Sequence, residues 1–377
     1  MRDMPSRTLA RLSAVALVAM LAACGGPRPL PGSPVPVVAV KPTPAATPSP
    51  SPSRSAAPLA TATPAPTEDV LARPGADLTG TAVDPALGHR LPIAVLIDDN
   101  RVARPQSGFN GASLVYQAPA DGGETRYMFV YQESDSPDIG PVRSGRVYFV
   151  HWASEVHAAI AHYGGDNFTR AYLDEHDPAL FTSVDALGRG ARAFHRIQSR
   201  KAPHNGYTSS EALRAMAIAL GAPASMPAAL ERRAFVDESP AAQRGTTQTV
   251  SIPYRTGTIE YRYNAGANLY QRIVDGRRQI DPADGQRVHT RNVVVLFQPF
   301  KIDTRIEPGH SRPVVGAIGT GRAFVFREGR LTEATWSKAD ETAATRLLGP
   351  DGREIPLVRG KTFFQIVPET TAVTVAD

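Results

Sequence analysis

Proline is concentrated in one segment of the chain, and this limits where the chain can fold. Of the 34 prolines, 14 lie between residues 27 and 75, mixed with Ser, Thr and Ala and with almost no large apolar side chains. Such a segment cannot bury enough apolar surface to offset the entropy cost of ordering it. We therefore expect an extended stalk over residues 24–82 and a folded part that starts at about residue 83.

The residues before the stalk have the pattern of a secretory signal. Three arginines precede a short apolar run, Leu12 to Met20, and small residues lead from it to Leu21-Ala22-Ala23-Cys24. The run is about half of the ~20 residues that span a bilayer. Leu-Ala-Ala-Cys resembles a lipobox, and Cys24 is the only cysteine. We expect removal of residues 1–23 and a palmitate-type lipid on Cys24, anchoring the protein to the extracytoplasmic face of the cell membrane.

The net charge argues against nucleic acid as a ligand, and the motifs argue against a nucleotide-phosphate site. Removal of residues 1–23, which carry three Arg and one Asp, lowers the formal net charge from +5 to +3. This small excess does not indicate nucleic-acid binding. No Gly-x-x-x-x-Gly-Lys-Ser/Thr motif is present, and we interpret Gly319-Thr320-Gly321 as a tight turn. We expect no nucleic-acid partner, no cofactor and no metal.

The pattern of predicted secondary structure changes about halfway along the folded part. Apolar runs predict strands at 93–97, 113–116 and 127–131, and periodic patterns predict helices at 146–157 and 208–220. After residue 246, strand-like runs dominate, at 249–252, 293–297, 323–326 and 362–367, with Asp-Gly turns between several of them. We predict an α+β N-terminal domain over residues 83–225 and a mostly β C-terminal domain over residues 240–377.

Polar residues concentrate in glycine-rich loops of the first half. Guanidinium groups suit bidentate binding of carboxylates or phosphates, and exposed N–H groups at glycine turns could add to an anion site. We predict a binding site for an anionic envelope ligand (a glycan, a peptide stem or a teichoic-type polymer) or for a partner protein. The candidate residues are Asp98, Asn100, Arg104, Gln106, Ser107, Arg126, Arg143, Ser144, Arg146, His162, His204 and Asn205.

Other interpretations of the same residues remain open. The arginines could instead pair with Asp98, Asp99, Asp121 and Glu124 and brace the fold. A cell-envelope hydrolase is the alternative function, with Ser144 or Ser107 as nucleophile, His162 or His204 as base and Asp98 as the orienting acid. A zinc site from the two histidines and a carboxylate is a further alternative, although no His-Glu-x-x-His spacing supports it.

Aromatic residues run through the second half at strand spacing. They could form a platform for sugars, but such spacing is more typical of core and cross-strand packing. We therefore expect them in the core. They are Tyr261, Tyr263, Tyr270, Trp336, Phe363 and Phe364.

Several motifs together resemble the YerB-like bacterial lipoproteins, over roughly residues 83–370. The first half carries Arg-Pro-Gln-Ser-Gly, Gly-Gly-Glu-Thr-Arg, Ile-Gly-Pro-Val-Arg-Ser-Gly-Arg and Ala-Pro-His-Asn-Gly-Tyr, and the second half carries Tyr270-Gln271-Arg272 and Thr335-Trp336. The resemblance implies an anchored, two-part protein whose first part is an α+β layered sandwich, and it implies no activity. One departure is Asp121, which stands where the family usually has Glu.

Overall fold

The computed structural model describes residues 75–227, 230–306 and 309–377. The predicted signal peptide, Cys24 and most of the predicted stalk lie outside these residues. Within the described ranges, no helix has the length and apolarity to cross a membrane.

The helices of the described residues are short. Three of the four α-helices in the described ranges begin at side-chain caps that the sequence supplies: Asp84 Oδ1 accepts from Ala86 N at 2.9 Å, the carboxylate of Asp166 from Thr169 N at 2.8 Å, and Ser209 Oγ from Ala212 N at 3.2 Å. The α-helices are α1 (Pro85–Gly88), α2 (Val147–Ser154), α3 (Asn167–His176) and α4 (Ser210–Ala219).

Strands make up most of the regular structure. In chain order they are β1 (Ile93–Asp98), β2 (Leu114–Pro119), β3 (Thr125–Tyr131), β4 (Ala159–His162), β5 (Thr182–Asp185), β6 (His195–Arg196), β7 (Gly206–Tyr207), β8 (Phe235–Val236), β9 (Thr249–Tyr254), β10 (Gly257–Asn264), β11 (Leu269–Val274), β12 (Arg277–Arg278), β13 (His289–Thr290), β14 (Asn292–Gln298), β15 (Phe300–Asp303), β16 (Arg312–Val315), β17 (Gly319–Arg327), β18 (Arg330–Lys338), β19 (Arg346–Leu348), β20 (Leu357–Val358), β21 (Thr362–Pro368) and β22 (Thr374–Ala376).

One ten-stranded mixed sheet contains strands from both predicted domains, in the order β19-β18-β17-β14-β21-β2-β3-β1-β4-β5. The two sets of strands join where β2 pairs in parallel with β21, from Leu114↔Thr362 to Gln117↔Gln365. The fold is therefore mostly β with few helices. The layered sandwich over residues 83–225 and the boundary near residue 240 stay predictions.

Both faces of this sheet are buried, which explains the apolar runs of its central strands. In β1, Ala94 and Leu96 belong to one core, and Val95 and Ile97 belong to the other. Helix α2 contributes to the first core through residues such as Trp152. Helix α4 and a second, antiparallel sheet of order β12-β11-β10-β9-β22 contribute to the other core. Alternate side chains of each central strand are thus buried on opposite faces.

The interpretation of Gly319-Thr320-Gly321 as a tight turn is wrong. These residues begin β17 and pair with Trp336 to Lys338 of β18. Glycine is needed because a Cβ on Gly321 would lie 2.7 Å from Trp336 Nε1 and 3.0 Å from Phe297 O. The expectation for the aromatic residues is confirmed, since five of the six are fully buried in one or the other of the two cores. Tyr263 is partly buried and packs against the core that contains Tyr261 and Tyr270.

Candidate functional site

The glycine-rich motifs of the first half meet at one end of the central strands. Asp98, the last residue of β1, pairs with Arg126 of β3. The chain around Arg143 runs past the same strand end, where Arg143 N donates to Leu96 O at 2.7 Å and Tyr163 N donates to Arg143 O at 3.0 Å. This backbone pairing holds the loops that follow β1 and β4 beside each other, at a strand end where sites commonly form.

These loops enclose a cavity of about 430 Å³, called here the polar cavity. Its lining comes from both predicted domains and from separate motifs. The lining residues are Asp98, Asn100, Asp121, Gly122, Glu124, Thr125, Arg126, Arg143, Ser144, Arg146, Gly165, Asp166, His204 and Arg312.

Three guanidinium groups converge on Asp121 at one side of the polar cavity. Arg146 donates to its carboxylate, Arg312 Nη1 donates to Oδ1 at 3.0 Å, and Arg126 Nη2 lies 3.7 Å from Oδ2. Burial alone would raise the pKa of Asp121, but the charges of Arg146 and Arg126 and the hydrogen bonds outweigh it and lower that pKa. Asp121 thus lies at the centre of an arginine cluster.

A second group forms around Asp98, which also lines the cavity. His204 Nδ1 donates to Oδ2 at 2.7 Å, Arg143 Nε lies 3.3 Å from the same oxygen, and Asn100 N donates to Oδ1 at 3.0 Å. The Arg143 side chain is 32% exposed, whereas those of Arg126 and Arg146 are 8% and 6% exposed. Arg143 is therefore the most solvent-accessible of the three motif arginines in this cavity.

Two buried polar atoms of the lining lack a hydrogen-bond partner among the described residues. They are Nε of Arg126 and Oε2 of Glu124. Burial, followed by the charge of Arg146, lowers the pKa of Arg126 to about 10. Burial and the charges of Asp99 and Asp98 raise the pKa of Glu124. Such atoms are usually satisfied by water or by a ligand, so the cavity retains one unused donor and one unused acceptor.

The lining carries as many carboxylates as guanidinium groups, with His204 in addition. Arg126, Arg143, Arg146 and Arg312 face Asp98, Asp121, Glu124 and Asp166. A bound anion must therefore draw a guanidinium away from its present carboxylate rather than meet an excess of positive charge. The residue most able to do so is Arg143.

The structure does not bring Arg104 and Gln106 into the polar cavity. They line a different cavity, and both bind the fully buried carboxylate of Asp99: Arg104 Nε donates to Oδ1 at 3.0 Å and Gln106 Nε2 donates to Oδ1 at 2.9 Å. At Arg104, the structure therefore favours the alternative in which the arginine pairs with a carboxylate and stabilises the fold.

Three further candidate residues also lie outside the polar cavity. Ser107 Oγ donates to Asp138 O at 3.0 Å, and Asn205 Oδ1 accepts from Arg196 Nη1 at 2.6 Å. His162 is buried, its Nδ1 donating to Gly164 O and its Nε2 accepting from Ser183 Oγ, both at 3.0 Å. Their side chains hold loops together. Asp98, Asn100, Arg126, Arg143, Ser144, Arg146 and His204 are the seven candidates that do line the cavity.

Among the described residues, the two serines named for the hydrolase alternative, Ser144 and Ser107, make no hydrogen bond to a histidine. The serine that bonds His162 is instead Ser183. Ser144 Oγ lies 3.5 Å from Arg126 Nη1. Ser107 bonds a backbone carbonyl, and His204 bonds Asp98. No group of three or more His, Cys, Asp or Glu residues is placed to hold a metal within the described ranges.

Sequence reasoning missed two charged residues of the cavity, Asp166 and Arg312. Asp166 caps α3, and its Oδ2 also lies 3.4 Å from Arg146 Nε. The Asp-Asn-Phe-Thr run at 166–169 is a helix-start pattern that could have indicated this position. Arg312 comes from the second half, about 190 residues from Asp121, and no local pattern distinguishes it from other surface arginines.

The two arginines of the Val-Arg-Ser-Gly-Arg motif should respond differently to truncation. Arg143→Ala should change the free energy of unfolding by less than about 1 kcal/mol, because a partly exposed ion pair contributes little. Arg146→Ala should cost about 1.5–3 kcal/mol, because it removes a buried, charge-assisted partner from both Asp121 and Asp166, although Asp121 keeps Arg312 and Arg126. Urea denaturation of both variants measures the difference, and equal losses would contradict this assignment of roles.

The fold and the cavity define a mostly β protein with a charge-lined pocket at the ends of its central strands. The chain belongs to the family described as Protein of unknown function (DUF3048): residues 78–222 match its N-terminal domain and residues 250–364 its C-terminal domain. This confirms the resemblance that the motifs indicated.

Two comparisons with YerB of Bacillus subtilis agree with this family membership. The protein from strain 168, whose name gives it as a candidate lipoprotein, is 28% identical over 305 residues, which is 80% of this chain and 88% of the relative. The crystal structure of YerB superimposes with a TM-score of 0.71 at 27% identity, covering 80% of this chain and 99% of that one.

Proposed function

We propose that this protein is an exported lipoprotein, anchored through Cys24 at the extracytoplasmic face of a cell membrane, whose polar cavity binds an anionic ligand of the cell envelope. The Leu-Ala-Ala-Cys sequence and the name of the related Bacillus subtilis protein support the anchor. The partly exposed guanidinium of Arg143 in this cavity supports the anionic ligand.

The observation that carries the binding proposal is the position of Arg143. Its guanidinium lines the cavity, is the least buried of the motif arginines there and has one carboxylate, Asp98, within ion-pair distance. A carboxylate or phosphate that enters the cavity can therefore engage Arg143 without dismantling the cluster around Asp121.

Asp98 would stay satisfied when Arg143 turns toward a ligand. His204 Nδ1 and Asn100 N continue to donate to its two oxygens, at 2.7 Å and 3.0 Å. Removing one of several partners of a buried carboxylate costs much less than leaving it without any. Asp98 and His204 thus act as positioning residues, and the hydrogen bond between them lowers the free-energy cost of moving Arg143 from Asp98 to a ligand.

The anchor gives a direct prediction. Cys24→Ala should leave a precursor that carries no lipid and no longer fractionates with membranes, because the acyl chains supply the apolar area that holds the protein there. Metabolic labelling with a fatty-acid analogue measures the modification. Undiminished labelling of the variant would contradict the anchor.

The binding proposal is tested by calorimetric titration of the unacylated chain of residues 25–377. The probes are a glycerol-phosphate oligomer and a muramyl peptide with a free carboxylate. Arg143→Ala should weaken binding of the accepted probe roughly 10- to 100-fold, the value of one charge-assisted hydrogen bond. Arg192→Ala, at an exposed arginine outside the cavity, is the matched control and should leave binding unchanged.

An acidic side chain of an envelope protein carries the same carboxylate chemistry. Crosslinking of the chain to an envelope extract, with and without Arg143→Ala, separates a protein ligand from a wall polymer. Failure of both probes, together with crosslinks that do not depend on Arg143, would contradict the proposal.

A further inference from the structure

A second cavity, of about 640 Å³, lies between the loop that holds Arg104 and the hairpin of β11 and β12. It is called here the hairpin cavity, and it shares no lining residue with the polar cavity. Its volume is within the range of roughly 300–1,000 Å³ that is common for small-molecule sites. It can therefore be considered as a site of its own.

The lining of the hairpin cavity is mostly apolar. Pro105, Tyr127, Val274, Ile280 and Pro282 contribute to it. Ile280 is 46% exposed, so part of this apolar lining is in contact with water. Covering this surface would remove apolar area from water, so the cavity favours an apolar ligand group.

Positive charge borders the same cavity. Arg277 and Arg278 form β12, and their exposed side chains make no hydrogen bond or ion pair with other described residues. Arg104 is already shared between Asp99, at 3.0 Å, and Asp275, at 3.3 Å. Unlike the polar cavity, this one therefore has two guanidinium groups that no carboxylate of the described chain occupies.

The neighbourhood of Arg278 is also positively charged. Burial, followed by the charges of Arg278 and Arg262, lowers the pKa of Arg287. Arg262 has a carboxylate partner in Glu260, at 2.5 Å, but Arg278 has none among the described residues. An anionic group placed at Arg277 and Arg278 would thus relieve repulsion as well as form new hydrogen bonds.

We infer that the hairpin cavity binds an amphiphilic anion, with its apolar segment against Val274 and Ile280 and its carboxylate or phosphate at Arg277 and Arg278. The two halves of the site match the two halves of such a ligand. Neither a simple anion nor a neutral apolar molecule would use both. This site is independent of the anion proposed for the polar cavity.

The test is titration of the unacylated chain of residues 25–377 with decyl phosphate below its aggregation concentration. Decyl phosphate should bind roughly tenfold more tightly than octyl phosphate, since each buried methylene adds affinity. Inorganic phosphate and decyl maltoside should bind far more weakly than decyl phosphate. The combined variant Arg277→Ala/Arg278→Ala should lose roughly 10- to 100-fold in affinity, the value of a charge-assisted hydrogen bond.

Two further variants separate this cavity from other sources of binding. Arg192→Ala, at an exposed arginine outside both cavities, should bind decyl phosphate like the unmodified chain, whereas Ile280→Ser should bind it several-fold more weakly. Circular dichroism confirms that each variant is folded. Ile280 is half exposed, and Arg192, Arg277 and Arg278 are exposed, so these substitutions should be tolerated.

Three outcomes would overturn the inference. One is equal affinity for octyl phosphate, decyl phosphate and inorganic phosphate, which would show that the apolar lining is unused. Another is unchanged binding in the combined arginine variant. The third is binding to phosphatidylglycerol vesicles without any binding of monomeric decyl phosphate, which would indicate attraction of a basic surface to a membrane.

Discussion

Replacing Glu155 with glutamine is expected to lower the free energy of unfolding by about 3–5 kcal/mol and the melting temperature by roughly 10 °C. The carboxylate is 1% exposed and lies 2.7 Å from Arg233 Nη2 and 3.4 Å from Lys338 Nζ, which is fully buried. Glutamine keeps the size of the side chain but leaves two buried cations without a countercharge. Differential scanning calorimetry measures the loss.

The control for this variant is Glu231→Gln. Glu231 pairs with Arg346, and both side chains are about half exposed. A surface pair of this kind contributes about 0–1 kcal/mol, so this variant should melt close to the unmodified protein. Similar losses in the two variants would contradict the assignment of Glu155 to a buried ion cluster.

The ion cluster of Glu155, Arg233 and Lys338 makes the free energy of unfolding depend on pH. Burial opposes ionisation of Glu155, but the charges of Arg233 and Lys338 and a hydrogen bond from Thr345 outweigh it and lower its pKa from 4.5 to about 2. A folded-state pKa below the unfolded value stabilises the fold above pH 4.5, and this contribution is lost as the pH falls toward about 2. The unmodified protein should lose more stability over this window than Glu155→Gln.

Replacing Asp281 with alanine is expected to cost about 2–5 kcal/mol, because two backbone N–H groups lose a charged acceptor. The fully buried carboxylate accepts from Gly108 N at 2.8 Å and from Asn110 N at 2.7 Å. It therefore ties the Arg-Pro-Gln-Ser-Gly loop of the first half to the second half. The amides of Gly108 and Asn110 should exchange their hydrogens faster in the variant, as measured by mass spectrometry or NMR.

Asp284→Ala is the matched control for the loop. Asp284 is exposed and accepts from the Asn110 side chain at 3.0 Å and from Gln286 N at 2.8 Å. Its removal leaves the backbone of residues 108–110 paired and should change stability by less than about 1 kcal/mol. Unchanged amide exchange in Asp281→Ala would show that the loop is held by other contacts.

The sequence predicted the central strands because burial on both faces leaves a continuous apolar run. Ile93 to Ile97 and Val293 to Phe297 are such runs, and they lie in β1 and β14. Strand β5 has the sequence Thr-Ser-Val-Asp, which carries no apolar run. It was missed because its strand structure depends on parallel pairing with β4. The layout of the sheet could not be predicted, since β2 and β21 are about 250 residues apart in the chain.

The sequence predicted the part of the site whose residues belong to the glycine-rich motifs. Arg126, Arg143 and Arg146 do share one cavity, as the motif pattern indicated. Arg104 does not, because its partner is the fully buried Asp99. Glu155 follows α2 like an ordinary surface charge, and its cationic partners are 78 and 183 residues away. Such long-range pairing leaves no local signal in the sequence.

The most direct test of the central claim is a crystal structure of the unacylated chain with the accepted envelope probe bound. The proposal predicts a carboxylate or phosphate of the probe within about 3 Å of the Arg143 guanidinium. It also predicts that the His204–Asp98 hydrogen bond and the Asp121 cluster are retained. A probe bound elsewhere, or Arg143 still paired with Asp98 beside a bound probe, would contradict the proposal.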